Sequence, residues 1–235
     1  DLIKKIYQKN KIFLIEDAAE VLGLEYKKKK CGYYGDISIF SFYSNKQITT
    51  GEGGMICTNN FLLSKKCRSL INLCFGSKDR FLHSDIGWNY RMTNIQAALG
   101  ISQLRRINQI VKKKMSIGKQ YYQKLKNNKN IYFPAPKNNF SDNIYWVIAI
   151  LIKNTDLNIN AKKLAKTLNG LNIMTRPFFW PMSGQKILKK FNMRVNDKFP
   201  NSDYICKYGL YLPSSLNLKS NDINYICKKI NEIIK

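Results

Sequence analysis

The chain has 235 residues, 44% of them hydrophobic, enough apolar material for one large domain or two small ones. Forty Lys and Arg stand against 15 Asp and Glu, a formal net charge of +25, but the basic residues are scattered (27–30, 112–114, 162–163) rather than gathered into a stripe. That pattern reads as solvated faces and argues against nucleic acid or a membrane surface as partner, while remaining compatible with attraction of a nucleotide diphosphate. The six cysteines form no C-x-x-C pair, and the lone His83 leaves no zinc ligand set, so no metal is expected and the thiols read as reduced. With no signal peptide and no apolar run of membrane-spanning length, a cytoplasmic protein is expected.

Residues 1–10 read as the tail of a helix, and because the chain opens there on Asp1, a preceding segment is expected. Residues 12–15 are an unbroken apolar run, the pattern of a strand buried on both faces of a parallel sheet, with Asp17 just beyond it. A helix is expected over 18–22, ending near Gly23. Strands follow at 37–42 and 55–58, with turns at Gly32, Gly35 and 51–54. Thr93 and Gln96 have the spacing of a capping box. From there Ala97, Ile101, Leu104, Ile107 and Val111 recur at helical spacing and predict one long amphipathic helix reaching towards Leu125. The stretch 127–139, rich in Asn, Lys and Pro, reads as a junction rather than core. A strand at 144–152, a helix at 161–168 and a closing helix at 223–234 complete the reading, with a domain boundary near residue 125. Alternating strands and helices imply an α/β sheet.

Such sheets bind ligands outside the carboxyl ends of their strands, where both Asp17 and the segment 41–46 fall. Lys46 sits in a polar turn between an apolar strand and the glycines 51, 53 and 54. Taken singly, Asp17 caps a helix, Lys46 is a surface lysine and the glycines make a flexible turn. Together they are the pair that pyridoxal 5′-phosphate (PLP) requires: a lysine to form the Schiff base, and a carboxylate to keep the pyridine nitrogen protonated.

The same residues carry a family resemblance. Glu16, Asp17, Ala18, Ala19 and Glu20, then Gly35-Asp36, Phe40-Ser41-Phe42, Asn45-Lys46 and the run 48–54 resemble the PLP-dependent sugar-nucleotide aminotransferases of the DegT/StrS group. The segments 87–93, 96–98, 103–104, 175–179 and 209–214 resemble further blocks in the same order, most closely those of perosamine synthases. The resemblance implies an aspartate-aminotransferase-like fold, with 1–125 the later part of the large domain and 126–235 a small α/β domain. It assigns Lys46 to the Schiff base, Asp17 to the pyridine nitrogen, Ser41 to the cofactor phosphate and Glu20 to the cofactor ring. It sets Asn89 at a dimer interface facing the neighbouring subunit's phosphate, with Arg91 nearby. Arg176 falls in the block of the nucleotide-sugar pocket, and Glu52 is a further substrate candidate. Against these, Asn89 reads equally as a turn residue, Arg176 as an ion-pair partner and Glu52 as a cap. Trp88, Trp146 and Trp180 read as packing.

The implied reaction moves an amino group from L-glutamate to a 4-keto-6-deoxy sugar nucleotide, in a homodimer that shares its active site. Two alternatives stand beside it. Relatives that dehydrate the sugar carry histidine in place of the lysine, so Lys46 favours transfer. The other is a catalytically silent binding or assembly module. The chain also departs from the family at Met182-Ser183, where a histidine is usual.

Overall fold

The computed structural model describes residues 2–76, 79, 81–153, 158–191 and 198–235. They form two compact units, one of residues 1–112 with 139–146, the other of 113–138 with 147–235. The seam between these compact units falls inside a helix whose last residue is Leu125.

In the first unit, helix α1 (Leu2–Lys9) precedes strand β1 (Ile15–Asp17). A hairpin, β2 (Glu25–Tyr26) and β3 (Lys29–Lys30), comes next, then β4 (Ile37–Ser41) and β5 (Gly54–Cys57). The sheet order is β1-β4-β5, with β1 parallel to β4 and β4 antiparallel to β5. Helix α2 (Phe61–Leu70) starts where the Asn60 side chain accepts the amides of Leu62 and Leu63, and α3 (Asn94–Leu104) starts at Thr93. The capping box is present in both directions: Thr93 Oγ1 accepts from Gln96 N, and Gln96 Oε1 accepts from Thr93 N.

Three expectations fail here. The apolar run 12–15 is not buried on both faces, since Ile12, Phe13 and Ile15 are all exposed and, among the described residues, β4 alone pairs with β1. An unbroken apolar run records what a strand can bury, not whether the described residues cover it. Residues 18–22 do not form a helix; Asp17 Oδ1 takes the amide of Ala19, and two successive turns lead to Gly23 at φ +94°. The long helix is two helices, α3 and α4 (Ile107–Leu125), separated at Arg105 and Arg106.

The second unit holds the larger core. Strand β6 (Ile131–Tyr132) lies in the stretch read as a junction, with Ile131 and Phe133 buried. Strand β7 (Ile148–Ile152) is shorter than the predicted 144–152 and buries Ile148, Ile150 and Ile152 in strict alternation. Helix α5 (Ala161–Asn169), strand β8 (Arg176–Pro177), helices α6 (Lys186–Lys190) and α7 (Pro200–Tyr208), strand β9 (Gly209–Leu212) and helix α8 (Ser220–Ile233) follow. The sheet order is β6-β7-β9-β8, antiparallel throughout. Helix α8 buries Ile223, Ile226, Cys227 and Ile230 along one stripe, and α5 does so with Ala161, Leu164 and Leu168. No helix among the described residues is long and apolar enough to cross a membrane.

Candidate active site

The carboxyl ends of β1 and β4 are adjacent because the strands are parallel and paired Ile15 to Ile37, Glu16 to Ser38 and Asp17 to Ile39. Asp17 therefore ends its strand beside the ladder position two residues short of Ser41, at the edge where α/β sheets bind ligands. The amide of the fully buried Ala18 continues the ladder to the Ile39 carbonyl at 2.9 Å. Successive side chains of a strand face opposite ways, and β1 uses this. Asp17 Oδ1 accepts the Ala19 amide at 3.1 Å, whereas the Glu16 carboxylate accepts the amides of Gly32, Tyr34 and Gly35 at 2.5, 2.9 and 3.2 Å. Glu16 is thus a clamp on the loop that precedes β4. Burial first, and then the Glu16 carboxylate, push the Cys31 thiol upward.

Lys46 lies in the loop joining β4 to β5, and that loop is tied to itself at nearly every residue. The Lys46 amide donates to the Tyr43 carbonyl at 3.0 Å, and the Thr50 amide to the Phe42 carbonyl at 2.9 Å. Thr49 Oγ1 donates to the Phe42 carbonyl at 3.1 Å and accepts the Gly51 amide at 2.9 Å. From α3, Gln103 grips Thr49 twice, its Oε1 accepting the amide at 3.1 Å and its Nε2 donating to the carbonyl at 2.6 Å. Gly51 turns the chain at φ +81°, and a Cβ on Gly54 would lie 2.7 Å from the Phe40 carbonyl oxygen. These ties explain why this stretch combines threonines with glycines.

The Lys46 side chain is only 11% exposed, and its Nζ lies 3.8 Å from Glu20 Oε1. On another side it lies 4.1 Å from the centroid of the Trp146 ring, whose Nε1 donates to the Asn45 carbonyl at 3.1 Å. Gln47, itself buried, donates from Nε2 to the Glu20 carbonyl at 2.8 Å, fixing the main chain that carries Glu20. The Gln47 Oε1 has no partner among the described residues.

The remaining predicted residues lie elsewhere. Ser41 Oγ accepts the Tyr43 amide at 3.3 Å, just before the Lys46 turn. Asn89 Oδ1 accepts from Arg91 Nε at 3.1 Å, and the Asn89 backbone bridges Asn72. Arg91 and Glu52 line a cavity of about 1100 Å³ together with Tyr33, Arg68 and Gln96, and neither Lys46 nor Asp17 lines it. Arg176 belongs to the second unit, on β8 opposite Tyr211.

The structure thus gathers Asp17 and Ser41 at one sheet edge, and Glu20 beside Lys46 in the loop region. Sequence reasoning missed Trp146, Gln47 and Gln103 as parts of this assembly. Trp146 is 100 residues from its partner, and no spacing rule joins the two.

A nearly enclosed primary amine, with a carboxylate and a hydroxyl ending adjoining parallel strands, is a donor set that fits PLP. The fold agrees, being that of PLP-dependent transferases of the aspartate aminotransferase type. PseC of Helicobacter pylori, an aminotransferase involved in pseudoaminic acid biosynthesis, matches 99% of this chain and 62% of its own, with a TM-score of 0.89 at 25% identity. Spr1654 of Streptococcus pneumoniae, solved in PLP and PMP forms, matches in fold with a TM-score of 0.85 at 20% identity. The model of the DegT/DnrJ/EryC1/StrS aminotransferase family matches residues 1–231, and the chain belongs to that family. PLP is the cofactor that this membership indicates. The GDP-perosamine synthases of Escherichia coli O157:H7 and Vibrio cholerae are 34% and 32% identical over 98% and 97% of this chain. The chain spans about 60% of the length of these relatives.

Proposed function

We propose that the protein is a sugar-nucleotide aminotransferase that moves an amino group from L-glutamate to a 4-keto-6-deoxy sugar nucleotide, acting as a homodimer. The observation that carries this reading is the Lys46 amine, nearly closed off from solvent in a loop that leaves the same sheet edge where Asp17 ends. When bound, PLP supplies an aldehyde that takes the amino group and a ring that accepts electrons. Lys46 would hold the cofactor covalently and its free amine would serve as the acid and base that moves a proton. Asp17 would keep the ring nitrogen protonated, Ser41 would donate to the phosphate, and Glu20 would face the ring. Asn89 serves the neighbouring subunit's phosphate. Arg91 and Glu52, which line a cavity of their own, and separately Arg176, whose guanidinium suits a diphosphate, are assigned to substrate on the strength of the family blocks in which they fall. In this reading residues 1–125 belong to the large domain and 126–235 form the small one. The likeness to perosamine synthases favours a GDP-linked sugar. The lysine itself favours transfer over dehydration.

The test is a half-reaction. Purified protein mixed with PLP develops visible absorbance, and L-glutamate alone then yields one equivalent of 2-oxoglutarate per subunit. In Lys46→Ala both signals vanish. Equal cofactor absorbance in Lys46→Ala, or no 2-oxoglutarate from the unsubstituted protein, overturns the assignment.

A further inference from the structure

Trp146 approaches Lys46 in a way that packing does not require. Its ring face lies 4.1 Å from Lys46 Nζ, while the same indole donates its only hydrogen to the carbonyl of Asn45, the residue preceding the lysine. One rigid side chain therefore holds both the backbone at the root of Lys46 and the charged tip of its side chain. An indole is the strongest of the aromatic faces for a cation, and the attraction grows where water is excluded, as it is around an amine this enclosed.

The backbone that presents Trp146 is unusual. Tyr145, buried, adopts φ +50°, and its amide donates to Asn143 Oδ1 at 2.8 Å. A bulky residue in the left-handed region is rare and costs on the order of 1–3 kcal/mol, and such costs collect where a neighbouring side chain has to be aimed. The Asn143 side chain stabilises the turn from within, so the kink is built in at the residue immediately before the indole. The Glu20 carboxylate at 3.8 Å supplies the counter-charge to the same amine.

We propose that Trp146 is a positioning residue for Lys46: its indole keeps the amine parked at the sheet edge whenever that amine is not covalently engaged. This rests on the reading of Lys46 as the cofactor lysine. A transaminating lysine leaves its covalent partner in each half of the cycle and has to remain close enough to return. A flexible four-carbon arm released into a polar turn would spend that interval in solvent. The ring face holds the ammonium without occupying a hydrogen-bond acceptor; before the amine bonds to an aldehyde it gives up one proton, and the Glu20 carboxylate 3.8 Å away is positioned to take it.

Two measurements on Trp146→Ala and Trp146→Phe test this. In the cofactor-free protein, brief labelling with trinitrobenzenesulfonate followed by peptide mass mapping reports how far the Lys46 amine is shielded. In the presence of PLP, borohydride reduction at short times and the same mapping report how fast Lys46 captures the aldehyde relative to the other lysines. Trp146→Ala is expected to raise the first and lower the second by about three- to tenfold, the range set by a partly desolvated cation–π contact. Trp146→Phe is expected to fall between Ala and the parent, since it keeps a ring face and loses the hydrogen bond. A residue serving only to pack the loop would alter the urea midpoint without this opposed pair of changes. Parental rates for both reagents in Trp146→Ala overturn the proposal; if that variant fails to fold, parental rates in Trp146→Phe do so. An unsubstituted protein in which PLP is reduced onto other lysines and never onto Lys46 refutes the assigned function instead, and the shielding measurement then still decides what Trp146 does.

Discussion

Lys114 occupies an apolar position. It shares the buried stripe of α4 with Ile117, Gly118, Tyr121 and Leu125, and its residue is only 7% exposed. Its Nζ donates to the Ser214 carbonyl at 2.9 Å and to Ser214 Oγ at 3.1 Å, and burial lowers its pKa from 10.5 to about 8. That drop, at about 1.4 kcal/mol for each factor of ten, corresponds to about 3 kcal/mol held against the folded state while the amine is charged. The folded-state pKa lies below the unfolded one, so the cost is fully present below pH 8. Between pH 8 and 10.5 the unfolded chain binds the extra proton and stability rises with pH; above 10.5 the cost is gone. Lys114→Met removes the charge but also the two hydrogen bonds to Ser214, a loss of about 1–2 kcal/mol. The variant should therefore be more stable than the parent by about 1–2 kcal/mol at pH 7 and less stable by a similar amount near pH 10.5. Urea unfolding followed by far-ultraviolet circular dichroism at pH 7, 8.5 and 10 measures the difference, in which titrations common to both chains cancel. A difference that does not change with pH would refute the reasoning.

Two further outcomes are expected. Glu16→Ala leaves the amides of Gly32, Tyr34 and Gly35 without their acceptor and should lower stability by about 3 kcal/mol, read from the urea midpoint; a loss under 1 kcal/mol would mean that water replaces the clamp. Thr93→Ala removes one half of the α3 capping box and should cost about 1 kcal/mol, with Thr93→Ser close to the parent; equal losses for Ala and Ser would show that the hydroxyl is not the cause.

What could be read ahead of the structure was what local chemistry determines. The Thr93–Gln96 box needs only residues three apart, and it is present bond for bond. The stripes of α5 and α8 are visible because a helical period repeats within a dozen residues. The β2–β3 hairpin was invisible for the opposite reason. Its turn residues Lys27 and Lys28 adopt φ +49° and +66°, a conformation usually announced by Gly, Asn or Asp. The break at Arg105 and Arg106 was hidden because the apolar spacing runs through it unchanged. Asp17 and Ser41 could be predicted to end at one sheet edge because parallel strands align their carboxyl ends. The meeting of Lys46 with Trp146 depends on a backbone reversal at Tyr145 that residue types alone do not signal.

The neighbours Glu16 and Asp17 hold unlike duties one position apart, and this makes β1 intolerant of insertion or deletion. A slide by one residue in one direction would hand the loop amides to the shorter acid, which lacks the methylene needed to span all three; a slide in the other direction would put the longer acid at the end of the strand. Two acids that look interchangeable on paper thus act as a vernier that locks the strand in place. A descendant of this gene that gains or loses a codon in this strand would misplace both carboxylates in the same event.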